Sequence, residues 1–202
     1  MNKSTIEFCD YTWNPIVGCA FHCAYCYAKR FNNRFNSGTD FNTPVFHPDR
    51  LGDPAKVKKA SNIFVCSMAD IFSPGVNDEW IEQILNIVRE NPHHSFRFLS
   101  KAPINFRRFD FPSNVWIGTS ISKGTFEQKH RIEDLTSCGC KYTSFVLVEP
   151  LLGNVSEMDF SGIDFLYVGA QTGPGSVKPQ QSWIKSITHP NITWKENIKK
   201  YL

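Results

Sequence analysis

The sequence predicts an α/β fold: a partial, open βα barrel with about six or seven mostly parallel strands, forming one domain over residues 1–202. Three observations lead there. Short apolar, β-branched or aromatic runs recur along the chain and are nearly continuous, as in strands covered on both faces. Helical patterns separate most of them, the alternation that builds parallel sheets through right-handed crossovers. The length of 202 residues also falls short of the ~250 typical of a complete eight-unit barrel. A doubly wound open sheet shares the first two features and is the alternative architecture.

In chain order, the expected strands are "PIVG" (15–18), "NIFVCS" (62–67), "SFRFLS" (95–100), "VWIGTS" (115–120), "SFVLVEP" (144–150), "DFLYVGA" (164–170) and "NITWK" (191–195). A first helix is expected over "AYCYAKRFNNRF" (24–35). The clearest helix is "NDEWIEQILNIVREN" (77–91), in which Asn77 or Asp78 caps a first turn rich in acids. Its residues Trp80, Ile81, Ile84, Leu85 and Val88 form one apolar stripe. "GTFEQKHRIEDLTS" (124–137) is a third, and shorter helical segments follow Pro103 and surround Trp183.

The bulk composition supports a packed domain. Hydrophobic residues make up 41% and aromatics 14%, with 17 Phe and 5 Trp, enough for a sizeable core. Charged residues reach 20% without a long single-sign block, which excludes wholesale disorder. A net charge of +3 is compatible with a nucleic-acid partner without requiring one. The N-terminal "MNKSTIEFCDYTWNP" has no apolar signal region, and no apolar run is long enough to span a bilayer. A cytoplasmic protein without membrane contact is therefore expected. Seven cysteines, an odd number without an export signal, argue against a disulfide framework and for reduced thiols, metal ligands or catalytic cysteines.

Polar residues gather where the expected strands end. Cys19 follows the first, Ser67 and Asp70 the second, and Ser100 and Lys101 the third. Thr119 and Ser120 follow the fourth, Glu149 the fifth, and Gln171 and Thr172 the sixth. Either architecture binds ligands at the carboxyl ends of its strands. One such residue could simply cap the next helix; six positions on one face predict a pocket.

The densest feature is "GCAFHCAYCYAKR" (18–30), where Cys19, Cys23 and Cys26 have the spacing C-x3-C-x2-C. Three readings are open: packed thiols, a zinc site with His22 or a distant residue as fourth ligand, or an iron–sulfur cluster. Zinc knots usually pair two such hooks, and "CGC" at 138–140 is too tight to be the second. Three thiolates on a cubane leave one iron without a protein ligand, open to a substrate or cofactor.

This spacing, with Tyr25 just before the last cysteine, resembles the signature of the radical S-adenosylmethionine (radical SAM) superfamily. The resemblance implies a partial or full βα barrel and a [4Fe–4S] cluster ligated by Cys19, Cys23 and Cys26, with His22 outside the ligand set. It also implies S-adenosyl-L-methionine, whose amino and carboxylate groups chelate the fourth iron, and an external electron donor. Reductive cleavage of that cofactor yields methionine and a 5′-deoxyadenosyl radical, which takes hydrogen from the substrate. The segments "TWNPIVGC", "FVCSMADIF", "FLSKAP", "VWIGTSI", "VLVEPLLG" and "YVGAQTGPG" together resemble a phage- and prokaryote-borne three-cysteine family within or beside that superfamily, over about residues 6–195. Members of that family often have a longer gap between the first two cysteines; here it is the superfamily's three residues. "HCAYCYA" is also similar to the spore photoproduct lyase-like branch, whose best-known member repairs DNA.

The resemblance assigns expected roles. The backbone near Tyr25 meets the adenine, and Ser67, Met68 and Asp70 lie where the superfamily contacts the methionine amino group. Ser100 and Lys101 come next, Lys101 pairing with the cofactor carboxylate or a substrate phosphate. Thr119 and Ser120 are expected to contact ribose or carboxylate. Glu149 should face the pocket, because a carboxylate buried without a partner is costly; ribose hydroxyls, a substrate cation or Lys101 would answer it. Gln171 lies in "GAQTGPG", whose backbone can approach a ligand closely but lacks the phosphate-loop pattern. Lys195 is a weaker candidate, and Cys9, Cys66, Cys138 and Cys140 have no matching role. Nucleic acid is the first candidate substrate, from the lyase-like hook and the phage association of the resembling family together with basic positions such as Lys29, Arg30, Arg34, Lys56, Lys58, Lys59, Arg107 and Arg108, which alone would read as a solvated face. A protein partner completing the active site is a second expectation. The alternative function is a non-catalytic zinc or iron–sulfur module that binds nucleic acid or a protein.

Overall fold

The computed structural model describes residues 1–35, 40–139 and 141–202, so Cys140 lies outside the described residues. In chain order the elements are β1 (Asn2–Lys3), β2 (Tyr11–Trp13), β3 (Ile16–Val17), α1 (Tyr27–Phe35), β4 (Val45–Phe46), β5 (Asn62–Val65), α2 (Asp78–Glu90) and β6 (Ser95–Ser100). Then follow β7 (Val115–Ile121), α3 (Phe126–Thr136), β8 (Thr143–Val148), β9 (Phe165–Val168), α4 (Gln181–Lys185), β10 (Ile192–Trp194) and α5 (Glu196–Lys199). Eight strands form an open sheet in the order β1-β2-β5-β6-β7-β8-β9-β10, while β3 and β4 make a two-stranded sheet of their own. The pairs β2–β5, β5–β6, β8–β9 and β9–β10 are parallel and β1–β2 is antiparallel. The sheet is mixed, mostly parallel and unclosed, the partial open α/β barrel that the strand–helix alternation predicts.

The chain divides into two compact units: Met1–Ser100 with Arg108–Trp116, and Lys101–Arg107 with Ile117–Leu202. In the first, Trp13, Ile63, Phe96, Phe98 and Phe111 are fully buried. Trp13 meets Phe96 edge-on at 6.0 Å and Phe98 meets Phe111 at 5.3 Å. Helix α2 forms as its pattern dictates. Asn77 Oδ1 accepts from the Glu79 amide at 2.9 Å, and Ile81, Ile84, Leu85 and Val88 are buried. Trp80 leaves that stripe; it is half-buried, with its ring stacked on Phe46 of β4 at 5.4 Å. In the second unit, Ile117, Phe145, Val146, Leu166, Val168 and Ile198 make the core. Thr125 stands at the N-cap of helix α3 but makes no side-chain cap bond. Instead, Gln128 reaches back, its Oε1 accepting from the amides of Ser122 (2.5 Å) and Lys123 (3.2 Å).

Two expected boundaries move. The first sheet strand is β2, upstream of "PIVG", and Ile16–Val17 leaves the large sheet to pair with Val45–Phe46. Pro15 lies between them and has no amide proton to extend the ladder. The first helix starts at Tyr27 rather than Ala24, because residues before it are spent in a turn in which the Cys26 amide donates to Cys23 O at 3.1 Å.

Candidate cysteine site and polar strand ends

The cysteine loop begins at Gly18. Its amide donates to Met68 O at 3.0 Å, it bridges Ala69 in parallel fashion, and the next amide, of Cys19, donates to Phe41 O at 2.7 Å. This junction requires glycine: φ is +99°, and a Cβ here would stand 2.4 Å from Thr43 O. The segment it touches is tied down by Asp40, whose carboxylate accepts from the Asn42 amide and side chain and from Thr43 Oγ1. Those bonds, Thr43's foremost, hold the Asp40 carboxyl below the usual carboxylate range. Cys19 is therefore gripped on two sides, by the residues after β5 and by the segment before β4. The Ala20 amide donates to buried Ser73 Oγ at 2.7 Å, and His22 takes a left-handed φ of +52°. At the far end, Cys26 immediately precedes α1, and its Sγ accepts from the Lys29 amide at 3.4 Å in the manner of an N-cap.

Cys19, Cys23 and Cys26 are half-buried, and none is in a disulfide. Burial pushes the Cys19 thiol above its ordinary pKa, with the nearby Asp70 and Cys23 adding to the rise against bonds from Phe21 and Ser73. Among the described residues no three His, Cys, Asp or Glu side chains converge closely enough to hold a metal ion. The donor chemistry nonetheless fits an iron–sulfur cluster: soft thiols, accessible, on one loop with fixed ends. A cluster with one iron per thiolate asks its ligands to surround a cubane rather than meet at a single ion.

Asp70 organises the strand ends of the first unit. It is buried, and its Oδ1 accepts from Ser100 Oγ at 2.7 Å and from the Phe72 amide at 3.0 Å. Two expected ligand contacts, Asp70 and Ser100, thus bind one another. Asp70 also faces Cys66, whose thiol burial pushes up to about 12 against a backbone hydrogen bond at Ile16, with the carboxylate adding to the rise. That thiol is a core group whose residue turns the chain at φ +58°. Ser67 and Met68 are held by a residue the sequence reading missed, Asn14. Its Oδ1 accepts from Ser67 Oγ at 3.1 Å and from the Met68 amide at 2.9 Å. The Ser67 carbonyl accepts from Tyr27 Oη, and the Met68 carbonyl from Gly18. Each of those oxygens keeps a second lone pair. The only sequence signal for Asn14 is its place before Pro15 in "TWNPIVGC". Tyr25 is half-buried in the loop.

In the second unit, Lys101 Nζ donates to Ser120 Oγ at 2.5 Å, and Thr119 is fully buried. Glu149 is answered by Lys195: Nζ reaches Oε2 at 2.6 Å, while Asn197 Nδ2 donates to Oε1 at 2.9 Å. Asn197 also exchanges hydrogen bonds with the Ala170 backbone in both directions, at 3.0 Å each. Gly169 lets this group pack, since a Cβ there would fall 2.4 Å from Glu149 Oε1. Gln171 closes its own loop by accepting from the Val177 amide at 2.9 Å.

The family described as "Protein of unknown function (DUF5131)" matches residues 3–194. No curated protein matches the sequence. Among solved structures, spore photoproduct lyase complexed with dinucleoside spore photoproduct superposes with a TM-score of 0.61 at 15% identity, covering 83% of this chain and 57% of that one. A mutant of the same lyase with bound AdoMet and dinucleoside spore photoproduct gives 0.61 at 14% identity, covering 84% and 58%. These likenesses show a shared fold, and the chain spans a little under three-fifths of the length of those two structures.

Proposed function

The chain belongs to the DUF5131 family, and on that premise we propose that it is a radical SAM enzyme. The observation that carries the reading is the loop of three half-buried thiols outside any disulfide, on a fold shared with spore photoproduct lyase. Cys19, Cys23 and Cys26 would hold a [4Fe–4S] cluster. When bound, that cluster supplies an electron that cleaves S-adenosylmethionine to methionine and a 5′-deoxyadenosyl radical. The chain's part is to hold the loop: Gly18 and Cys19 through Met68 and Phe41, Ala20 through Ser73, and Cys26 through the start of α1. Asn14 and Asp70 order the segment after β5, which would line the cofactor's methionine end. In the second unit the Glu149 carboxylate is taken up by Lys195 and Asn197, and the Lys101 ammonium holds Ser120. An external donor supplies the electron, and nucleic acid is the proposed substrate; a protein partner would complete the site.

The test is anaerobic reconstitution with iron and sulfide, then S-adenosylmethionine and dithionite, with mass spectrometry for 5′-deoxyadenosine. About four irons per chain and production of that nucleoside are expected, both lost in the C19A/C23A/C26A variant. A chain that loads iron but releases no 5′-deoxyadenosine would be a non-catalytic metal-binding module instead.

A further inference from the structure

Helix α1, directly after the cysteine loop, buries only a narrow face, at Ala28 and Asn32. Tyr27, Phe31 and Phe35 recur every four residues and are 53%, 50% and 59% exposed. The Phe31 and Phe35 rings lie together at 4.6 Å, and the Arg34 guanidinium sits 5.1 Å from the Phe35 ring centroid. At 3.6 residues per turn, Arg30 and Arg34 flank the aromatic row, and all five side chains fall within an arc of about 140°. Solvated aromatic rows of this kind are uncommon on surfaces that stay bare.

The structure also sorts the basic residues of the chain. Lys56 pairs with Asp53 and Arg108 with Asp78, while Arg107 donates to Ser137 O. Among the described residues neither Arg30 nor Arg34 has a carboxylate partner, and α1 contains no acid. Burying two uncompensated guanidinium groups against an apolar protein surface would be costly. A strand with an aromatic base and a phosphate in every residue satisfies both halves of the face at once.

We infer that this face of α1 docks single-stranded nucleic acid, bases stacking on Phe31 and Phe35 and phosphates meeting Arg30 and Arg34. The inference deepens the nucleic-acid reading of the proposed enzyme, but its test needs neither cluster nor cofactor. Fluorescence anisotropy of labelled oligothymidylate and oligouridylate is measured across a salt series with the full chain. Wild-type affinity should fall linearly against the logarithm of salt concentration. R30A/R34A should flatten that slope by about 1.4, two phosphates at ~0.7 each, and R30K/R34K should restore it. F31A/F35A should weaken binding about tenfold or more at unchanged slope. K185A/K200A, at two exposed lysines outside the candidate basic positions, serves as a basic control and should bind as wild type. Thermal melts by circular dichroism check that each variant folds.

Absence of wild-type binding at low salt overturns the inference, as does wild-type affinity and slope in both double variants. Self-association of the chain that F31A/F35A abolishes, without oligonucleotide binding, also overturns it and makes the face a protein contact. Because 5′-deoxyadenosine formation is read separately, failure here leaves the enzyme proposal standing, and the converse holds.

Discussion

Glu149 and Lys195 lie 46 residues apart and meet at 2.6 Å, with their side chains 20% and 8% exposed. A carboxylate that enclosed depends on its ammonium, and removing one partner costs far more than the pair itself contributes. Lys195→Met should therefore lower the stability of the chain by about 3 kcal/mol in urea unfolding; a variant as stable as wild type would refute this account. His94 makes a pH-dependent case. The Ser61 amide donates to its Nδ1 at 3.2 Å and its Nε2 faces Pro54 O at 3.2 Å, so the neutral Nε2–H tautomer is the one that fits. Burial depresses its pKa, helped by His93 and opposed by the carbonyls of Pro54 and Val57. The folded value lies below the unfolded one, so the stabilisation is full above about 6.5. It is lost as pH falls through the folded value, where the unfolded chain binds more protons. An NMR titration should place the His94 midpoint below about 6.5, with the urea midpoint falling over the same range; a midpoint above it would count against the tautomer assignment.

At the scale of elements, the junction from β3 into the cysteine loop is the most constrained. Gly18→Ala would put a Cβ 2.4 Å from the Thr43 carbonyl at a φ of +99°. Stability should fall by about 2 kcal/mol or more, and iron loading on reconstitution should drop with it, since Cys19 follows directly. Full loading with unchanged stability would show that the loop tolerates a different path. Helix α2 was legible because its cap, first-turn acids and stripe all lie within one run; only Trp80, drawn off to Phe46, escaped it. The strands β1, β3 and β4 are two residues each. They were not legible, or were misplaced, since a two-residue ladder leaves no periodicity to read.

At the scale of the whole molecule, local order in the chain determined the α/β alternation, the mostly parallel open sheet, the aromatic core and the grouping of three thiols. Each of these is encoded within a few turns of sequence, as burial period, breaker residues or spacing. Tertiary structure alone decided the partners. Glu149 is answered by Lys195 and Asn197 while Lys101 turns to Ser120. Asn14 braces Ser67 and Met68 across 53 and 54 residues. Asp70 and Ser100 bind each other, and among the described residues Arg30 and Arg34 have no carboxylate partner while Lys56 and Arg108 find one. Such pairings depend on which strand lies beside which and in what register, as when β2 aligns with β5. Hydrogen bonds and ion pairs between distant residues leave no period in the chain, so the sequence could name the candidates but not their partners.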